Sequence, residues 1–262
     1  MTIRDSAKAF LHSLPPSLQG PARWAGDWLR YPPGSSERRK IDWVRRVYTP
    51  YGRQQRVSIM LDIARFATIN RPIEGYYFEF GSHEANTMRM AWDAFHHLYG
   101  WHFVAFDSFE GLPDISAIDR QAIWGKGRLK TAEESFLTIC HRHGIARDRL
   151  TTVKGFYDDT LTPELKRSFQ PKKAAVVYVD CDLYKSTVPV LDFIKDFLQP
   201  GTIIVFDDWN CFYGDPERGE RRAWAEFLSA NPELRFEPFV STGMQMSFIH
   251  LGPSIEEEGA GA

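Results

Sequence analysis

The chain has 262 residues, 43% of them hydrophobic and 25% charged, which suits one large α/β domain with terminal additions better than two independent domains. Its net charge of −2 excludes bulk attraction to nucleic acid or an anionic membrane and leaves a small neutral or mixed-charge partner as the expectation. The three cysteines, Cys140, Cys181 and Cys211, are odd in number and show no Cys-x-x-Cys spacing, so neither a disulfide framework nor a zinc cage is expected; with no signal-like or membrane-length apolar run, the expected compartment is the cytoplasm.

Residues 1–70 read as a helical N-terminal extension, punctuated by Pro15, Pro16, Pro32 and Pro33, with an exposed loop at 32–36. It could supply the interface of a homo-oligomer. Arg38, Arg39, Lys40, Arg45 and Arg46 form its basic cluster, a solvated face or a contact for an anionic group. The apolar spacing predicts a buried helix over 55–67.

From residue 71 to 252 strands and helices alternate. Strands are predicted at 76–80, 102–106, 150–153, 174–179 and 202–206, and helices at 87–99, 132–143, 188–198 and 221–228. The region 234–251 supplies two more strands as a closing antiparallel hairpin. Apolar strands separated by helices predict a mostly parallel, Rossmann-like α/β sheet covered on both faces. The tail at 253–262 is acidic, then small, and is expected to be flexible.

Several of these strands end in acid: Asp107, Asp180, and the pair Asp207 and Asp208, with Glu79 just before the end of the first. Any one Asp there could simply cap a helix or a turn. Ligands of open α/β sheets, however, bind beyond the carboxyl ends of the strands, and several acids on one edge point to a shared site. If the strands ending in Asp180 and Asp207 are neighbours, their carboxylates repel unless a cation neutralises them. An all-oxygen set suits a hard divalent ion such as Mg²⁺. Cys181 is turned away from Asp180 and Asp182 by strand alternation and reads as core. Gly81 allows close backbone approach to a ligand, and the following helix offers N–H groups to a carboxylate. Asp107 is placed to accept from ribose hydroxyls. No Gly-x-Gly-x-x-Gly follows Gly81, so a ligand with a ribose and an amino-acid end, and no pyrophosphate, fits best.

Four runs together resemble the macrocin O-methyltransferase family: Tyr77-Phe78-Glu79-Phe80-Gly81; Phe106-Asp107-Ser108-Phe109-Glu110-Gly111-Leu112-Pro113; Val179-Asp180-Cys181-Asp182-Leu183-Tyr184-Lys185-Ser186-Thr187; and Phe206-Asp207-Asp208. The resemblance spans roughly residues 55–228. It implies a class I methyltransferase fold, S-adenosylmethionine as donor, and a requirement for Mg²⁺ or another divalent cation. By position it assigns the metal to Asp180, Asp207 and Asp208 and the general base to Asp182. The donor site falls to Glu79, Gly81, Ser82, Thr87, Asp107, Ser108, Tyr157, Asp158 and Asp180. Family members carry glycine where Ala85 and Asn86 stand.

The implied reaction is methylation of a hydroxyl on a sugar or glycosylated natural product, as in secondary metabolism, with no nucleic acid or membrane partner. His83, in the same loop as Ser82, is the rival base. Two other readings remain open at this point: a catechol-type diol as acceptor, and a non-catalytic methyltransferase-like binding or scaffold protein.

Overall fold

The computed structural model describes residues 31–252; the first thirty residues of the expected extension and the tail at 253–262 lie outside them. The chain divides into two compact units, 1–54 and 55–262. In the first, the described residues form helix α1 (Ser36–Trp43), capped by the Ser35 side chain accepting from the Arg38 N–H, then a π-type segment (Val44–Tyr48) and the start of α2 (Thr49–Ile69). The helix predicted at 55–67 is thus part of a longer one.

The second unit is built on a seven-stranded sheet. Its strands are β1 (Tyr76–Phe80), β2 (His102–Asp107), β3 (Leu150–Lys154), β4 (Ala174–Val179), β5 (Ile203–Phe206), β6 (Phe236–Ser241) and β7 (Met246–His250). Their order is β3-β2-β1-β4-β5-β7-β6. The first five pair in parallel, and β7 pairs antiparallel with both β5 and β6, as the closing hairpin predicted. Chain order reverses between β1 and β4, which makes their carboxyl ends the switch point where such sheets bind ligands.

The helices between strands are α3 (Asn86–Phe95), α4 (Glu133–His143), α5 (Tyr157–Thr160), α6 (Pro163–Phe169), α7 (Tyr184–Ile194) and α8 (Gly219–Ala230). Strand alternation sends Tyr77, Phe103, Tyr178 and Val205 to one face, packed with Ile59, Ile63, Trp92, Phe95 and Phe136 from α2, α3 and α4. Phe78, Phe80, Phe106, Val179 and Phe206 face the other way, against Val190, Phe193 and Ile194 of α7 and Trp224 of α8. Each fully buried side chain of this size contributes roughly 1.5–3 kcal/mol.

Besides α2, several boundaries and two elements differ from the sequence expectation; α7 ends at Ile194 rather than 198 and α8 starts at Gly219 rather than 221. Helix α3 ends at Phe95 rather than residue 99, because 96–98 form a turn bonded back to Phe95 O. Helix α7 starts at Tyr184 rather than 188, since Asp119 supplies a remote cap for its first N–H groups. Helices α5 and α6 were not expected. For α6 the local signal is present: Thr162 caps it through the Leu165 N–H, and Pro163 opens it. Among the described residues no helix is long and apolar enough to cross a membrane.

Candidate active site

The parallel register builds the site. Phe80 pairs with Phe106 on one side and Val179 on the other, and Val179 pairs with Phe206. Gly81, Asp107, Asp180 and Asp207 therefore follow in a row along one edge of the sheet. Gly81 has φ 87°, and a Cβ there would lie 1.9 Å from Asp180 O. Only glycine lets β1 and β4 close up at this point.

A cavity of about 490 Å³ opens at this edge, within the range that holds a cofactor-sized ligand. Gly81, Ser82, Asp107, Ser108, Tyr157, Asp158, Asp180 and Asp182 line it, as does His83. Glu79 and Thr87 are buried but do not border it. Asp107 accepts the Ser82 N–H at 2.7 Å and the Phe109 N–H at 2.6 Å, and burial raises its pKa. Ser108 Oγ donates to Gly111 O. The Tyr157 hydroxyl donates to Phe106 O at 3.2 Å. Glu84 and Ala85 both take left-handed backbone (φ 55° and 53°), a conformation glycine adopts at lower cost.

Glu79 accepts the Tyr77 hydroxyl at 2.7 Å through Oε2, while its Oε1 and the neighbouring Ser82 Oγ are buried without partners. Burial pushes the Glu79 carboxyl up to about 7, against the pull of the hydroxyls around it. Unpaired polar atoms cost roughly 1–3 kcal/mol each when buried, so these two are the acceptors left open beside the end of β1.

One carboxylate oxygen from each of Asp180, Asp207 and Asp208 lies within 4.8 Å of the others. Burial first, then Asp207 and Asp208, hold the Asp180 carboxyl well above its ordinary range. Burial and the charge of Asp207 push Asp208 up to about 6. Asp208 Oδ1 accepts the Cys211 thiol at 3.1 Å, and Oδ2 is buried without a partner. This crowding of acceptors around one point is what a hard cation relieves.

Asp182 sits beside the cluster, nearly buried, at the centre of a three-residue turn closed by the Leu183 N–H on Cys181 O (2.6 Å). Its φ of 62° belongs to the strained form of that turn, and such strain collects at functional sites. Burial, then Asp208 and Asp180, keep its carboxyl well above the usual range. His83 Nδ1 is tied to Thr131 Oγ1 at 3.0 Å. Cys181 is buried among core residues with its thiol toward Thr187 of α7, as expected of a core residue, but it lies past the end of β4 and also borders the cavity, so strand alternation does not separate it from Asp180 and Asp182.

Four contributors to the cluster were missed in the sequence. Arg56 of α2 donates from Nε to Asp207 Oδ1 (2.8 Å) and from Nη2 to Oδ2. The Tyr178 hydroxyl and Gln245 Nε2 (3.2 Å) also donate to Oδ1. Glu220, at the start of α8, is 1% exposed and accepts the Asp208 N–H at 3.0 Å, with Oε1 unpartnered. Tyr178 alternates onto the same face as Asp180, and that period was readable. Arg56 stands 151 residues from Asp207, and no spacing connects them.

Residues 29–232 match the sequence family described as Macrocin-O-methyltransferase (TylF). The 8-demethyl-8-(2,3-dimethoxy-alpha-L-rhamnosyl)-tetracenomycin-C 4'-O-methyltransferase of Streptomyces olivaceus is 30% identical over 109 residues, covering 39% of this chain and 40% of that protein. The chain thus matches about two fifths of the length of this curated relative. Among solved structures, the O-methyltransferase NovP superposes with a TM-score of 0.62 at 20% identity, over 75% of this chain and 80% of its own. The calicheamicin methyltransferase CalS11 gives a TM-score of 0.62 at 21% identity, over 90% and 93%. At these identities the two structures establish the likeness of fold.

Proposed function

Because the chain belongs to the macrocin-O-methyltransferase (TylF) family, we propose that it transfers a methyl group from S-adenosylmethionine to a hydroxyl of a sugar or glycosylated small molecule, with the aid of a divalent cation. The observation that carries this reading is that Asp180 belongs to two places at once: it lines the cavity and it is one corner of the carboxylate cluster. Donor and cation sites therefore meet at one side chain. The sugar preference draws on the rhamnosyl acceptor named for the Streptomyces olivaceus relative.

In this reading residues 71–252 form the methyltransferase domain and 1–70 its extension, the acceptor is a small molecule, the place of action is the cytoplasm, and a homo-oligomer is the working assembly. Gly81 and Ser82 hold the methionine end of the donor, with the buried Glu79 and Thr87 acting through the hydroxyl contacts around Glu79 rather than from the cavity wall; Asp107 and Ser108 hold its ribose, and Tyr157 and Asp158 its adenine. Asp180, Asp207 and Asp208 hold the cation. Its charge, when present, lowers the pKa of an alcohol and steadies the developing alkoxide. Asp182 takes the proton of the attacking hydroxyl: its carboxyl is nearly buried, fixed by the turn and adjacent to the cluster, the placement a general base needs. Much of the remaining rate comes from holding the acceptor in line with the donor methyl.

The test is mass spectrometry of candidate glycosides incubated with S-adenosylmethionine, with and without Mg²⁺ in EDTA-treated protein. The proposal expects a metal-dependent gain of one methyl group. Methylation indifferent to EDTA would remove the cation from the reaction, and absence of donor binding by calorimetry would remove the enzyme.

A further inference from the structure

Asp207 is held by more donors than any other member of the cluster. Its Oδ1 accepts from Arg56 Nε, the Tyr178 hydroxyl and Gln245 Nε2, and its Oδ2 accepts from Arg56 Nη2. The donors come from three separate elements: α2, β4, and the turn between β6 and β7. The carboxylate is 2% exposed. A carboxylate offers about four acceptor positions over its two oxygens, so three donors saturate Oδ1, and the capacity left over is on Oδ2.

A side chain this constrained is not free to turn toward an ion. Either the arrangement removes Asp207 from ion binding altogether, or it presets one oxygen for it. The distances fit the second, since Asp207 still offers an oxygen within 4.8 Å of those of Asp180 and Asp208 while the Arg56 fork is closed on it. The salt bridge and the cluster coexist in one conformation.

We propose that Arg56 is a positioning residue of the cation site, which, with Tyr178 and Gln245, locks Asp207 so that Oδ2 alone faces the ion. The inference rests on the metal reading above. Groups that orient a ligand from behind commonly change metal affinity 10–100-fold when removed. The planar guanidinium makes two parallel bonds that an ammonium cannot reproduce. Arg56 also carries a positive charge near the ion, so simply deleting it mixes two opposite effects, loss of orientation and loss of repulsion. Arg56→Lys keeps the charge and removes the fork. Gln245→Leu removes a neutral donor from the same oxygen and leaves the charge untouched.

The experiment is titration of metal-free protein with Mn²⁺, followed by electron paramagnetic resonance, alongside calorimetric titration with S-adenosylmethionine. For both variants the Mn²⁺ dissociation constant is expected to rise about tenfold or more, while donor affinity stays within twofold of about the wild-type value, since neither residue borders the cavity. Should Arg56→Lys fail to fold, Gln245→Leu reads the same quantity. Unchanged or tighter Mn²⁺ binding in a folded variant would overturn the positioning role and leave the cation site standing. Failure of the wild-type protein to bind Mn²⁺ would overturn the site itself, and the positioning role with it.

Discussion

Glu79 and Asp182 are both buried acids, and their surroundings differ. Glu79 lies wholly inside the protein, with its carboxyl raised from 4.5 to about 7. A group whose native pKa lies above its unfolded value binds more protons when folded, so its contribution is complete below about 4.5 and is lost as the pH rises through about 7. The shift corresponds to roughly 3 kcal/mol. Denaturant melts should therefore show stability falling between pH 4.5 and 7, with Asp180, Asp182, Asp208 and Glu220 adding to the fall; Glu79→Gln should make it shallower, and an unaltered slope would mean that Glu79 does not contribute to it. Asp182 is the residue proposed above to take the proton. Asp182→Asn preserves its size and its turn and should lower kcat by about 10²- to 10⁴-fold, with the dissociation constant for S-adenosylmethionine nearly unchanged. Normal turnover in that variant would exclude Asp182, and His83 would become the base to test.

Helix α7 carries no cap of its own, because Leu183 precedes it and has no side-chain acceptor. Asp119 takes over, with Oδ1 accepting the Tyr184 N–H at 2.7 Å and Oδ2 accepting the Ser116 hydroxyl at 3.0 Å. This single carboxylate joins the loop at 108–131 to the helix that follows Asp182. Arg218 adds a second tether through Ile118 O and Arg120 O. Since Gly111, Leu112, Pro113, Lys126 and Leu129 of that loop line the cavity, Asp119→Ala should cost about 1–2 kcal/mol of stability, as lost caps do. It should also weaken donor binding, measurable by calorimetry; donor affinity unaltered alongside lost stability would show that the loop does not shape the donor site. What was legible in the sequence at this scale follows from the same physics. Strand ends announce themselves by an apolar run that stops at an acid, so Asp107, Asp180 and Asp207 could be placed before any coordinates. Asp119 could not, because a remote residue replacing a local cap leaves no periodic trace. Glu220 reads as an ordinary acid in the first turn of a helix, and only the fold reveals that it is buried under Asp208.

Across the whole molecule, parallel pairing sets Gly81, Asp107, Asp180 and Asp207 side by side at the switch point of the sheet. The order of the strands was not readable in the sequence, and the adjacency of β4 and β5 stood only as a condition; that the sheet is mostly parallel was readable from the alternation of strands and helices. That the antiparallel hairpin returns to the site was not, since Gln245 reaches Asp207 through a turn whose sequence gives no sign of it. The carboxylates at this edge are crowded and partly unpartnered, so ligands that offset their charge should stabilise the fold. Saturating S-adenosylmethionine at about 100 times its dissociation constant should stabilise the fold by roughly 2.7 kcal/mol and raise Tm by several degrees, with Mg²⁺ adding a further rise that EDTA removes. A Tm that responds to the donor and not to Mg²⁺ would confine the chemistry to the cavity. The most direct test of the central claim is anomalous diffraction from crystals grown with Mn²⁺ and S-adenosylhomocysteine. The account predicts a single manganese peak among Asp180, Asp207 and Asp208, with the nucleoside in the cavity beside Asp107. A well-diffracting crystal with the nucleoside bound and no manganese between those three carboxylates would contradict it.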